Sequence, residues 1–188
     1  MVDKVIERPA YSLPAPGASP FIAQLLQTTQ QHGYTINQLI GLIERIETGT
    51  FTPTLTFATP GNLSVVYTVQ IGRFVRLGNL IQYIVDVAAT PTFTTASGAL
   101  AITGLPYAAA ATPAANVGTA VADGASVTYP AGRTGLAAWL VTAASELNVM
   151  AQGSATGITR LVAADIASGA ALRLRLQGFY PTDDVEGF

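Results

Sequence analysis

Two periodicities divide this chain. Between residues 22 and 46, seam positions recur at alternating steps of three and four: Ile22, Leu25, Thr29, His32, Ile36, Leu39, Ile43 and Ile46. This is the a/d spacing of a coiled coil, a stripe so narrow that only similar helices bury it. Isoleucine at both seam positions favours more than two strands, so a trimeric helical stalk is expected. From Thr50 onward the texture becomes β. Short apolar runs at 63–67, 74–77, 80–87, 100–102, 117–121, 136–141, 147–150 and 172–179 are separated by Gly, Asn, Pro or Ser. In the last run Leu172, Leu174 and Leu176 face one way, and Arg173 and Arg175 the other. Such short strands with turn signals between them predict a mainly β fold, an antiparallel jelly-roll-like sandwich. Segments 108–116 and 151–157, rich in Ala, Gly, Ser and Thr, read as loops.

The stalk has a clear start and an ambiguous middle. Ser19 is a good N-cap and Pro20 suits the first helical position. His32-Gly33 resembles a C-terminal stop, and Thr35-Ile36-Asn37-Gln38 has the form of a capping box. The unbroken heptad phase favours one rod; the capping signals favour two helices, about 20–31 and 36–47, with a break near Gly33. The break is the preferred reading. Residues 1–18 contain Pro9, Pro14, Pro16 and Gly17 and cannot be helical throughout. They are expected to form an extended anchoring peptide. The expected division is therefore 1–18 anchor, 19–48 stalk and 49–188 β-sandwich head.

Composition narrows the function classes. Net charge is −2 in 188 residues, so bulk charge draws no nucleic acid. Only 11% of residues are charged, where soluble domains carry about 25%. So little charge on so much apolar sequence implies that much surface lies in contacts between chains. No membrane insertion is expected: the longest uncharged stretch is punctuated by Pro91, Pro106 and Pro113. The charged N-terminus carries no evident secretion signal, and with no cysteine present, disulfides and cysteine-ligated metals are excluded.

Chemistry-bearing residues are sparse. His32, the only histidine, falls on the seam; a pH-sensitive trimer contact is conceivable, but a partly solvated helix terminus is preferred. Asp183, Asp184 and Glu186 form the only carboxylate cluster, without the ligand spacing of a calcium loop, and read as a solvated tail. Asp86, Asp123, Glu146 and Asp165 are scattered singly. No nucleophile elbow, P-loop or dinucleotide fingerprint is present, so no catalytic, metal or cofactor site is expected. Arg73, Arg76, Arg133, Arg160, Arg173 and Arg175 supply the head's basic residues, suited either to salt bridges between subunits or to acidic glycans. Tyr83, Tyr107, Tyr129, Trp139 and Tyr180 could stack on sugars, but packing is the preferred role, and Trp139 is expected to be buried.

Five stretches, GTFTPTLTF at 49–57, YTVQIGRFVRLGNLIQY at 67–83, GALAITGLPYAA at 98–109, YPAGRTGL at 129–136 and ADIASGAALRLRLQGFY at 164–180, resemble a known family. It is the C-terminal β domain of bacteriophage tail-fibre and virion structural proteins. The family pattern runs G-x-W/F-T-P-x-L, G-R-Y/F-x-R-x-G, I-x-G-L-P and D-I. Here it falls on Phe51 and Pro53, then Gly72, Arg73, Phe74, Arg76 and Gly78, then Gly104, Leu105 and Pro106, then Asp165 and Ile166. Phe51 and Phe74 stand where tryptophan and tyrosine are common, and both keep the ring. The resemblance implies a homotrimeric β domain on the surface of a virion assembled in the host bacterial cytoplasm. It would be joined to capsid, portal or tail proteins through residues 1–18 and displayed for contact with host-surface glycan or protein. Three other readings remain open: a capsid head fibre or decoration protein without receptor role, a glycan-degrading virion enzyme, and a free carbohydrate-binding module.

Overall fold

The structure is a computed structural model. It describes residues 46–111, 126–154 and 157–184, the backbone of 117–123 and of 156, and helical positions Gln24, Gln27, Thr28, Gln31, His32, Gly33 and Thr35. The chain divides into two units, 1–45 and 46–188. In the first, Thr28 Oγ1 donates to the Gln24 carbonyl at 2.9 Å and Thr35 Oγ1 to that of Gln31 at 3.0 Å. These are back-bonds one turn down a helix. Positions 31–33 and 35 are helical. Residues 34 and 36–45, on which the expected break near Gly33 and the second helix depend, lie outside the described residues. His32 is helical and exposed. The anchoring peptide and seam positions Ile22, Leu25, Thr29, Ile36, Leu39 and Ile43 lie outside the described residues.

Ile46 is a correction. Expected to close the helical seam, it opens a strand and pairs with Leu77. The β unit therefore begins at residue 46, not 49. Its ten strands are β1 (Ile46–Phe51), β2 (Thr54–Thr59), β3 (Ser64–Leu77), β4 (Leu80–Thr92), β5 (Ser97–Thr103), β6 (Val117–Asp123), β7 (Gly135–Leu140), β8 (Glu146–Gly153), β9 (Thr156–Arg160) and β10 (Leu172–Pro181). The runs expected at 63–67 and 74–77 are parts of one strand, β3, which carries a bulge between Tyr67 and Val69. The loop expected at 151–157 instead ends β8 and begins β9.

All strand pairings are antiparallel, in the order β1-β3-β4-β10-β6-β7-β8-β5-β2, with β9 also on β8. One hydrogen-bonded ladder thus replaces the two separate sheets of the expected sandwich. Its end strands, β1 and β2, are joined by only Thr52 and Pro53. A ladder whose two ends are tied by so short a link has to roll up. Where the ends meet, Tyr67 on β3 accepts a hydrogen bond through its hydroxyl oxygen from the Leu55 amide of β2, at 2.9 Å. Gln70 Nε2 donates to the Pro53 carbonyl at 3.0 Å. Side-chain hydrogen bonds close the roll where no ladder does.

Alternation decides what lies inside. On β4, Ile81, Tyr83, Val85, Val87 and Ala89 point inward and are buried; on β10, Leu172, Leu174, Leu176 and Tyr180 do the same. They meet Leu55 and Phe57 of β2, Leu100 and Ile102 of β5, and Leu136 to Val149 positions of β7 and β8 in one core. At about 25 cal/mol per Å², each large aliphatic side chain among them is worth about 2 kcal/mol relative to exposure.

The register of β1 on β3 sets two glycines against two rings. Gly49 faces Phe74 and Gly72 faces Phe51. A Cβ on Gly49 would lie 2.5 Å from the Phe74 ring, and one on Gly72 would lie 2.6 Å from that of Phe51. Each ring lies over the space that a side chain would fill on the other strand. Gly49→Ala and Gly72→Ala are each expected to destabilise the β unit by about 1–3 kcal/mol in urea unfolding, through overpacking. Adding Phe51→Leu to Gly72→Ala should recover part of that loss, whereas it should destabilise the parent chain.

Candidate functional site

Three of the four motif segments meet in space. Phe51 ends β1 and Pro53 lies in the β1–β2 link, while Gly72, Phe74, Arg76 and Gly78 come from β3 and its turn. Gly104, Leu105, Pro106 and the adjacent Tyr107 follow β5. Gly104 has φ +91°, and a Cβ there would meet the Thr52 carbonyl at 2.6 Å. This close approach fixes the segment against the β1–β2 link. Leu105 then enters the core. Tyr107 packs edge-on to Phe74, centroids 5.7 Å apart, and lies under the Arg76 guanidinium at 4.5 Å.

Arg76 is the hub. It is 5% exposed, unusual for a charged side chain. Its Nε donates to the Gly78 carbonyl at 2.8 Å, its Nη2 to the Asp184 carbonyl, and its Nη1 lies 3.8 Å from Glu47 Oε2. Glu47 also accepts a hydrogen bond from the Tyr107 hydroxyl at 2.6 Å. That donation, together with burial, pushes the Tyr107 phenol above the ordinary tyrosine range. One guanidinium thereby ties together the edge strand, the hairpin turn, the segment after β5 and the chain's last described residues. Gly78 takes φ +61° in the two-residue β3–β4 turn, where glycine meets no steric cost.

The fourth motif lies elsewhere and is also structural. Asp165 ends a 3-10 turn, Ala163–Asp165, and its carboxylate accepts the Val162 amide at 2.9 Å. Ile166 is buried beside it. Arg73, by contrast, projects outward, flanked by Thr50 on β1 and Ile84 on β4.

The outward face of β1, β3, β4 and β10 is the part of the surface least explained by folding. Row by row across the strands it carries Ile46, Leu77 and Leu80, then Thr48, Val75, Gln82 and Phe179, then Thr50, Arg73, Ile84 and Gln177. Ile46, Leu77, Ile84 and Phe179 are 49%, 51%, 49% and 56% exposed. A shallow groove of about 430 Å³ opens among Thr48, Thr50, Arg73, Val75, Gln82 and Ile84. The next row sets exposed Ile71 beside a charged cluster. Arg173 grips Asp86 through Nε at 2.9 Å and Nη2 at 2.6 Å, with Arg175 Nε at 3.9 Å. The Arg173 hydrogen bonds hold the Asp86 carboxyl below its usual range.

The chain's fold has a parallel among solved structures. The Dettilon tailspike protein is similar, with a TM-score of 0.53 at 20% sequence identity over 72% of this chain and 24% of that one. This chain therefore spans about a quarter of that protein's length. At such identity the likeness is one of fold. No protein-family model and no curated protein matches the sequence.

Other candidate residues resolve into local roles. Tyr83 and Tyr180 are buried core rings 5.9 Å apart, and burial raises both phenols. Trp139, expected inside, is 43% exposed, because on β7 its neighbours Ala138 and Leu140 take the inward positions. Asp183, expected in a solvated tail, accepts the Ala111 amide at 2.7 Å. Arg133 braces its loop against the Ala131 and Gly157 carbonyls. Among the described residues there is no group of three or more metal-ligating side chains. Among them, too, no helix is long and apolar enough to cross a membrane.

Arg76→Lys is expected to lose about 1–3 kcal/mol in thermal or urea unfolding, since an ammonium cannot reproduce the fork of donors or the stacking on Tyr107. For Asp86, the lowered folded pKa fixes the sign. Its stabilisation is fully present above the ordinary carboxylate range and is lost as pH falls through the folded value. Asp86→Asn should therefore cost about 0.5–1 kcal/mol at pH 7, for so exposed a pair, and almost nothing at about pH 2. Unfolding curves at both pH values check this.

Proposed function

We propose that this chain is a virion structural protein, a trimeric fibre or spike of a tailed bacteriophage or phage-like particle. Residues 1–18 anchor it, the helical segment sets the three-fold symmetry, and the β unit projects as a head that contacts the host surface. The observation that carries the reading is the fold likeness to a tailspike protein, over a β unit preceded in sequence by a heptad seam. The motif set adds support: Phe51, Gly72, Phe74, Arg76, Gly104 and Leu105 fall together as a folding clasp, as expected of residues that define a shared domain.

The role is one of display and not of catalysis. The carboxylates whose partners are on view are engaged in structure: Asp86 with arginines, Asp165 and Asp183 with backbone amides, and Glu47 with Tyr107. A trimer presents three equivalent weak sites, and avidity then raises attachment well above a single site's affinity where the geometry permits simultaneous contact.

Cryo-electron microscopy of intact particles tests the reading. Density for this chain on a tail fibre or tail tip is the expected result. Density confined to the capsid shell would replace host attachment with decoration, and absence from every particle would overturn the virion reading. Deleting residues 1–18 is expected to abolish incorporation while leaving the number of chains per oligomer, and the β circular-dichroism signature of the purified protein, unchanged.

A further inference from the structure

We infer that the outward face of β1, β3, β4 and β10 is where copies of this chain pack against one another. The inference deepens the trimeric reading above, naming the surface that makes the oligomer within the β unit.

The size of the face is the first argument. Its apolar core consists of Ile46, Val75, Leu77, Leu80, Ile84 and Phe179, all at least 39% exposed. Taking about 200 Å² for a fully exposed large apolar side chain, they present roughly 600 Å² to solvent, the upper limit for a typical monomer's largest apolar patch. With the polar residues between them, the area approaches the ~800 Å² per partner of a standard stable interface. The composition also fits. Arg73 is the one charged residue among the apolar rows, and the Asp86–Arg173–Arg175 cluster lies at the border. An apolar centre with a polar rim is the anatomy of a protein–protein contact.

The occupant is a second copy of the chain. A copy brings the same apolar rows, and the face approaches the area that each partner gives to a stable interface. The three-four spacing at residues 22–43 is a sequence pattern of chains that associate with their own copies. Scarcity of charge points the same way. With charged residues at 11%, the chain is poor in solvating surface and depends on its own copies to cover apolar area. The inward positions of the same strands are filled by the core, so nothing in the fold of one β unit requires these six side chains to be apolar.

The test uses the full chain in sedimentation equilibrium. The parent is expected as an oligomer at about 10 µM, and Ile84→Glu with Phe179→Glu should raise the dissociation concentration at least about 100-fold, with an unchanged far-UV spectrum. Trp139→Glu and Ile158→Glu alter exposed apolar residues off this face and should leave the mass unchanged. A parent that is monomeric at about 100 µM, or a double variant that keeps the parent's mass, overturns the inference. Because the chain has no cysteine, a second readout avoids any loss of folding. Val75→Cys should be joined between chains by a short thiol cross-linker and Trp139→Cys should not; the reverse pattern overturns the inference. Association through this face by a chain absent from every particle would sink the virion reading alone. A particle-borne oligomer indifferent to these substitutions would sink this inference alone.

Discussion

The exchange of rings and glycines between β1 and β3 is the interaction on which the rest depends. β1 is an edge strand of six residues, paired on one side only. Phe51 and Phe74 lie over Gly72 and Gly49, and Arg76 closes on Glu47 beyond them. Once β1 is fixed in this way, the Thr52–Pro53 link has no freedom to let β2 wander. The two ends of a long antiparallel ladder are then obliged to meet. Rolling follows from that constraint, and the single core follows from rolling.

The same constraint orders the surface. Because inward positions on β3, β4 and β10 are committed to the core, the alternate positions must face out. Their character is therefore a separate choice from folding. On most antiparallel sheets that choice is polar. Here it is apolar near Ile46, Leu77 and Phe179 and charged near Asp86. That banding leaves the apolar end in need of a cover and the charged end self-sufficient, since Asp86 already has Arg173 in a two-point grip.

Part of this was legible along the chain. Alternation on β10 and β4 is plain in the sequence, and strands with one apolar face are read well from period two. β1 and β2 were missed because Thr-rich strands ending at a proline look like turns. β3 was split because Gly72 looks like a break; its real purpose, to make room for the Phe51 ring, depends on a residue 21 positions earlier. The motif residues could be named along the chain, but what each one packs against could not. Arg76 looked like one of several surface arginines until the Gly78 carbonyl, Glu47 and Tyr107 were found around it. The outward apolar face was spread over four separate runs, and no window along the chain contains it.

What the sequence determined by itself was the antiparallel β class of residues 50 onward, the three-four spacing of apolar positions before it, and the shortage of charge. These are properties of local period and of composition. The tertiary structure alone decided that Ile46 belongs to a strand, that the ladder is one rolled sheet and not two, and that Trp139 lies outside. It also decided that Ile46, Leu77, Leu80 and Ile84 share a face with Phe179. Each of these depends on which distant strands are neighbours, and pairing between strands is fixed by register and packing across the whole chain, which no local pattern records.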